Sequence, residues 1–162
     1  MKIRDLMTKH VASVRATDST AVAARLMWDC DCGAIPVLDD EGCVIAMVTD
    51  RDICMAALMR DRAPSAIPVS EAMSTDLQFC EPDDNVSAAE QVMRAHQIRR
   101  IPIVDRERRP VGVLSLADIA RASDHHKGRG TRPVGPEEVA VTLAEICTTP
   151  TRDANPPTPS PF

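Results

Sequence analysis

A short unit that occurs twice in the chain constrains the fold more than any other feature of the sequence. The first copy has Ile-Pro-Val at 35–37 followed by residues 47–53, and the second has Ile-Pro-Ile at 101–103 followed by residues 113–119. The two prolines are 66 residues apart, and the same offset holds for every equivalent position without an insertion. A repeated unit of this size normally cannot bury its own apolar face without a neighbour. Two copies therefore predict a pair that closes on itself.

Each copy predicts the same order of elements, β-α-β-β-α. The predicted strands are 11–14, 34–38 and 44–48 in the first copy and 77–80, 101–104 and 111–114 in the second. The predicted helices follow caps at Asp18 and Asp84, and the last helix of each copy covers 50–59 or 116–122. The last two strands of a copy are too close for a crossover, so we expect an antiparallel hairpin. The prediction is an α+β fold of two repeats related by a pseudo-two-fold axis.

The same pattern divides the chain into segments. We expect a first repeat at 1–60, a linker at 61–68, a second repeat at 69–123 and a loop at 124–135. Proline and two acids at 136–138 open an amphipathic helix predicted for 136–147. Repeated proline and small polar residues predict a disordered tail at 148–162.

Composition excludes several classes of partner. Apolar residues make up 44% of the chain and aromatic residues only 2%, which predicts an aliphatic core. The net charge of −5 disfavours binding to nucleic acid or to an anionic membrane surface. No apolar run is long enough to span a bilayer, and we expect no membrane association. The sequence has no signal-peptide pattern, which favours a cytoplasmic protein. In that compartment we expect its six cysteines to be reduced thiols.

The turn from the last strand into the last helix carries a hydroxyl and a carboxylate in both copies. Thr49 and Asp52 form it in the first copy, and Ser115 and Asp118 form it in the second. The pattern is typical of a helix-capping box. It also places a carboxylate and free amides at a helix N-terminus, where they can hold ribose hydroxyls and phosphate. A small residue precedes each turn, Gly112 in the second copy, and both interpretations stay open.

These motifs resemble a tandem pair of CBS domains, the modules named after cystathionine β-synthase. The resemblance covers residues 3–122 and rests on the Ile-Pro strand, the aspartate after it and the Thr/Ser-x-x-Asp turn in both copies. It implies a regulatory module without catalysis that binds AMP, ADP, ATP, NAD or S-adenosylmethionine in the cleft between the copies. An adenine nucleotide is then a regulatory ligand, and no catalytic cofactor is expected.

The resemblance also implies the residues that hold the ligand. In the family, the Thr/Ser and Asp of the turn hold ribose and phosphate, and the Ile-Pro strand meets the adenine. Arg100 resembles the arginine that family members use on phosphate, whereas Ala34 stands at its position in the first copy. The implied ligand-binding residues are Thr49, Asp52, Ile35, Pro36 and Arg51 for one site and Ser115, Asp118, Arg100, Ile101, Pro102 and Gly112 for the other.

The charges around the two copies predict unequal sites. Residues 28–55 carry one arginine against seven acids, whereas residues 94–121 carry seven arginines against three acids. Arginine can bind phosphate oxygens through two parallel hydrogen bonds. We therefore expect the phosphates at the site of Ser115 and Asp118. Because both sites share one cleft, an arginine from one copy can also serve the ligand of the other.

Other motifs carry weaker signals. The Cys30-x-Cys32 pair lacks the second pair that a zinc site needs, so we expect no metal. Trp28 marks either an interface or a half-buried position on its own helix. No nucleophile and base can be paired, so no enzyme is expected. We expect a homodimer that signals to an effector protein, and the alternative is a structural docking module with vestigial nucleotide sites.

Overall fold

The computed structural model describes residues 1–9, 11–125 and 135–147. Most of the predicted loop 124–135 and all of the predicted tail 148–162 lie outside the described residues.

Both copies fold into hairpin-and-helix repeats in the predicted order. The elements of the first repeat are β1 (Val14–Arg15), α1 (Thr20–Asp29), β2 (Ala34–Leu38), β3 (Val44–Thr49) and α2 (Asp50–Arg60). The elements of the second repeat are α3 (Val86–His96), β4 (Arg100–Val104), β5 (Pro110–Ser115) and α4 (Leu116–His125). A last helix, α5, covers Pro136–Cys147. The α+β class, the two repeats and the C-terminal helix are confirmed.

The hairpins of the two repeats have the same register. Strands β2 and β3 pair antiparallel with Pro36 opposite Met47, and β4 and β5 pair antiparallel with Pro102 opposite Val113. Both hairpins shift register near their turn, after Val37 and after Ile103. The 66-residue offset is thus a structural repeat down to the position of the bulge.

The beginning of each repeat differs from the prediction. Strand β1 covers only two residues and pairs parallel with β2, and residues 77–80 form a single parallel bridge between Cys80 and Ile103. The N-cap positions of α1 and α3 are Ser19 and Asn85, whose side chains make no capping hydrogen bond, so the predicted caps Asp18 and Asp84 are wrong by one residue. The Asp18 carboxylate accepts a hydrogen bond from the Arg15 amide, at 2.7 Å, and therefore closes the turn before the helix.

The short segments that lead into the repeats are exchanged between them. The amide of Ile3 donates to the carbonyl of Asp84 in the second repeat, and the amide of Val69 donates to the carbonyl of Asp18 in the first. Ile3 is fully buried in the core of the second repeat, around Met93 and Ile101. Val69 is buried in the core of the first repeat, together with aliphatic residues of α1, β2 and β3. Each repeat therefore supplies part of the other's core, and neither core is complete alone.

Helix α5 packs on the helices of the second repeat, where it adds to that core. Ile146 is buried with Met93 and Ile119, and Thr142 is fully buried. The hydroxyl of Thr142 donates to a carboxylate oxygen of Glu90, at 3.4 Å, and Glu90 is only 4% exposed. The first repeat has no equivalent helix within the described residues. No helix among those residues is long and apolar enough to cross a membrane.

The buried Glu90 makes the attachment of α5 dependent on pH. Burial, followed by the nearby Glu138, raises the pKa of Glu90 above its ordinary value of 4.5. Its contribution to stability is therefore complete below pH 4.5 and is lost as the pH rises through the raised pKa. We expect Glu90→Gln to melt at a higher temperature than the unmodified protein at pH 7, with the difference vanishing at pH 4. The exposed Glu41→Gln is the control, and an equal gain in that variant would contradict the assignment.

Candidate ligand-binding cleft

Both predicted capping boxes form, with the same geometry. The hydroxyl of Thr49 donates to Asp52 Oδ2 at 2.7 Å, and the amide of Asp52 donates to Thr49 Oγ1 at 3.1 Å. In the second repeat Ser115 Oγ donates to Asp118 Oδ2 at 2.6 Å, and the amide of Asp118 donates back at 3.2 Å. The capping interpretation is thus correct in both copies. It does not exclude a site, because each box stands at the N-terminus of a helix.

A cleft of about 910 Å³ opens beside the first of these boxes. Its walls come from the first repeat, the second repeat and the end of α5. The lining residues from the first repeat are Gly33, Ala34, Met47, Thr49, Asp50, Arg51 and Asp52. Those from the rest of the chain are Ser74, Asp76, Gln78, Gln97, Ile98, Arg99, Arg100, Pro102, Ile146 and Cys147. A space of this volume suits a small organic ligand such as a nucleotide.

The cleft groups the sequence-predicted residues across the two repeats. Arg100 is the cross-strand neighbour of Ser115, yet it lines the cleft together with Thr49 and Asp52. Pro102 joins them from the same strand. Ser115 and Asp118 lie outside this cleft, at the equivalent turn of the second repeat. The structure therefore brings the arginine of one repeat to the carboxylate of the other.

Four predicted residues face packed parts of the protein. The side chains of Ile35 and Ile101 are fully buried in the two cores, so only their backbone can approach a ligand. Pro36 is buried and does not line the cleft. A Cβ on Gly112 would lie 2.7 Å from Met7 Sδ and 2.9 Å from the carbonyl oxygen of Thr8. Gly112 thus admits the exchanged N-terminal segment, which is a packing role.

The two capping boxes differ in whether the second carboxylate oxygen of the aspartate, Oδ1, has a partner on the same helix. In both boxes the bonds from the hydroxyl and from the first amide fall on Oδ2. The guanidinium of Arg121 pairs with Asp118 Oδ1, one turn along α4. The equivalent residue on α2 is Met55, which carries no donor. Asp52 Oδ1 is therefore not used by the box or by an arginine one turn along the helix.

The contributions of the beginning of the second repeat and of α5 to the cleft were not predicted from the sequence. Ser74 lines the cleft because its amide and carbonyl bond to the backbone of Met47, which continues the sheet. Arg99 lies next to the identified Arg100, and its Nη2 approaches Cys147 Sγ at 3.8 Å. Adjacency to Arg100 was a usable signal for Arg99. No motif marked Ser74 or the end of α5.

The cysteines do not assemble a metal centre in the part of the chain that the structure describes. No group of three or more His, Cys, Asp or Glu side chains there has the geometry to hold a metal ion. Burial raises the pKa of the Cys32 thiol, and it raises that of Cys80 to about 11. Both thiols therefore lose their protons at a higher pH than an ordinary thiol does.

Comparison with known proteins identifies the family. The CBS domain model matches residues 3–59 and 69–125, which are the two structural repeats. The chain belongs to the CBS domain family. The CBS domain-containing protein YhcV of Bacillus subtilis is 42% identical over 118 residues, which are 73% of this chain and 82% of that protein.

Solved CBS domain pairs have the same fold. The pair of protein MJ0100, in complex with 5-methylthioadenosine and S-adenosyl-L-methionine, has a TM-score of 0.68 at 24% identity and covers 75% of this chain and 94% of its own. CBSX2 in complex with AMP has a TM-score of 0.67 at 22% identity, with 78% and 98% covered. This chain is accordingly a CBS domain pair, and helix α5 follows the second matched segment.

Proposed function

We propose that this CBS domain pair is a non-catalytic regulatory module that binds an adenosine-containing ligand in the cleft of Thr49, Asp52 and Arg100. One observation carries the proposal. A helix N-terminus with a partly unused carboxylate and three arginines lines one cleft of about 910 Å³. This combination provides acceptors for ribose hydroxyls and donors for phosphate oxygens in the same space.

The ribose belongs at the capping box of the first repeat. Asp52 Oδ1 accepts from a ribose hydroxyl, while Oδ2 keeps its bonds to Thr49. The box holds the carboxylate in position before the ligand arrives, so little side-chain entropy is lost on binding.

The phosphates belong with the arginines. Arg51, Arg99 and Arg100 line the cleft, against the carboxylates of Asp50, Asp52 and Asp76. Guanidinium groups can form two parallel hydrogen bonds to phosphate, and the N-terminus of α2 adds its positive dipole. The base then meets the apolar surface of Met47, Ile98 and Pro102.

Relatives of the same fold support an adenosine compound. MJ0100 was solved with 5-methylthioadenosine and S-adenosyl-L-methionine, and CBSX2 with AMP. These three compounds share adenosine and differ in the group attached to the ribose. Three arginines in the cleft favour AMP or a longer nucleotide over a neutral or cationic compound.

We propose that Ser115 and Asp118 form a second site, which binds the ligand more weakly. Its carboxylate is already paired with Arg121, and Arg100 lines the other cleft. The charges of the sequence predicted the phosphates at Ser115 and Asp118, and this proposal places them at the other site. The phosphate-binding site of this proposal is the one that contains Thr49 and Asp52.

A thermal-shift panel tests the function itself. A ligand that binds only the folded state raises stability by about 2.7 kcal/mol when its concentration is one hundred times the dissociation constant. We expect AMP, ADP or ATP to raise the melting temperature, with guanosine monophosphate as the matched control for phosphate alone. If no adenosine compound raises it, the chain is the structural docking module that the sequence also allowed.

The predicted homodimer and effector belong to the same proposal, as does the cytoplasmic location. Helix α2 presents Leu58 and Met59, which are 72% and 77% exposed. Burying these side chains in a second copy removes apolar surface from water. We expect light scattering at micromolar concentration to give the mass of a dimer, and Leu58→Glu to give the mass of a monomer. A monomer mass for the unmodified protein would contradict the prediction.

A further inference from the structure

An open groove lies on the helices of the first repeat, on the other side of Gly33 from the cleft. Its volume is about 510 Å³. It lies between the end of α1 and the beginning of α2. The lining residues are Ala24, Met27, Trp28, Asp31, Cys32, Gly33, Asp50, Ile53 and Arg100.

The repeat shows what kind of element belongs in this groove. Adding the 66-residue offset to Ala24, Trp28 and Gly33 gives Glu90, Arg94 and Arg99 of the second repeat. Those three residues contact α5. Glu90 accepts from Thr142, Arg94 pairs with Glu145 at 3.5 Å, and Arg99 approaches Cys147.

The apolar residues at the floor of the groove also match the surface that α5 covers on the second repeat. Met27 and Ile53 correspond to Met93 and Ile119, which are buried in one cluster with Ile146 of α5. The groove on the first repeat is therefore the positional equivalent of the surface that α5 covers on the second. Its apolar floor suits the apolar face of an amphipathic helix.

The groove differs from the surface under α5 in two ways that select its occupant. Trp28 replaces Arg94 and is 82% exposed, so the occupant needs an apolar side chain where α5 has Glu145. Asp31 and Asp50 lie at the end of the groove that corresponds to the C-terminus of α5. Among the residues that line the groove, Arg100 is the basic residue that opposes these two carboxylates. A helix that ends there in basic residues gains from both carboxylates and from its own dipole. Helix α5 of a second copy is acidic and lacks both features.

We propose that this groove is a docking site for an amphipathic helix of an effector protein, with an apolar residue against Trp28 and a basic last turn against Asp31 and Asp50. The helix lies in the direction of α5. This supplies the partner that the proposed regulatory function needs. Its test uses no nucleotide, so the two proposals fail separately.

The probe is a cross-linked peptide built on α5. It has the sequence of residues 136–147 with Glu145→Leu and Cys147→Arg, and a covalent link between positions 137 and 141 holds it helical. Both linked positions are exposed in α5, so the link stays away from the groove. A preformed helix is needed because isolated helices of this length are marginal in water. The control peptide carries Ile146→Asp in addition.

Trp28 is the single tryptophan of the chain and lies in the groove, so its fluorescence reports occupancy. We expect the probe to shift its emission to the blue with saturation, and the control peptide to leave it unchanged. By anisotropy of a labelled probe, Trp28→Ala should bind about tenfold more weakly or worse. Asp31→Asn, which keeps a residue suited to the local positive φ of 49°, should bind about two- to fivefold more weakly.

Three results would overturn the proposal. The first is that the probe produces no saturating shift of the Trp28 emission. The second is that Trp28→Ala binds the probe as tightly as the unmodified protein does, which means that the peptide binds elsewhere, such as the surface under α5. The third is a blue shift that appears on concentrating the protein alone and disappears with Leu58→Glu, because a second copy then covers the groove.

Discussion

Asp52→Ala is expected to weaken the binding of AMP by more than about tenfold, as measured by titration calorimetry. The mutation removes the acceptor that the capping box leaves available to a ribose hydroxyl. It also removes the capping bonds at the N-terminus of α2, which we expect to lower the free energy of unfolding by about 0.5–2 kcal/mol. Affinity and stability are measured on the same sample, so the two losses can be separated.

The repeat offers a matched control for this variant. Asp118→Ala removes the equivalent capping bonds at the N-terminus of α4, which differ in length by 0.1 Å, together with the exposed ion pair to Arg121. We expect a similar loss of stability and little loss of affinity at the tight site. If Asp118→Ala abolishes binding and Asp52→Ala leaves it intact, the ligand occupies the second box, as the charge of the sequence first indicated.

Ile3→Ala is expected to lower the free energy of unfolding by about 2–5 kcal/mol, which is a large part of the total for a domain of this size. Ile3 lies before β1, in the segment that is exchanged with the second repeat. Here its side chain is fully buried in the core of the second repeat, and its amide bonds to Asp84. Unfolding in urea, followed by circular dichroism, measures the loss.

The control for Ile3→Ala is Val22→Ala, because Val22 is apolar and exposed on α1 and has no part in the proposed dimer contact. Surface substitutions usually change stability by no more than about 0.5 kcal/mol. Equal, small losses in the two variants would mean that the N-terminal segment is not part of the second core. The exchange of segments between the repeats would then be wrong.

The internal repeat made most of the fold predictable. The strand pattern and the helix signals gave β2 over Ala34–Leu38 and α5 over Pro136–Cys147 with the observed bounds. The exchange of Ile3 and Val69 was not predictable, since both residues are equally suited to their own repeat and to the other. The choice depends on backbone hydrogen bonds between segments far apart in sequence, such as Ile3 to Asp84.

The lining of the cleft was predictable in part from motifs, and the sequence left open which repeat Arg100 serves. The Thr/Ser-x-x-Asp motif identified both boxes, and Arg100 was recognised beside the Ile-Pro strand. The charges of the sequence favoured the site in its own repeat for Arg100. The cleft instead places it with Thr49 and Asp52, because the two hairpins meet across the pair. The interpretation of Trp28 as half-buried on its own helix was wrong, since no equivalent of α5 covers it among the described residues.

A crystal structure of the protein grown with AMP shows directly where the nucleotide binds. We expect electron density for AMP in the cleft, with a ribose hydroxyl within hydrogen-bonding distance of Asp52 and the phosphate against Arg100. Density for AMP at Ser115 and Asp118 alone, with the cleft of Thr49 and Asp52 empty, would contradict this expectation.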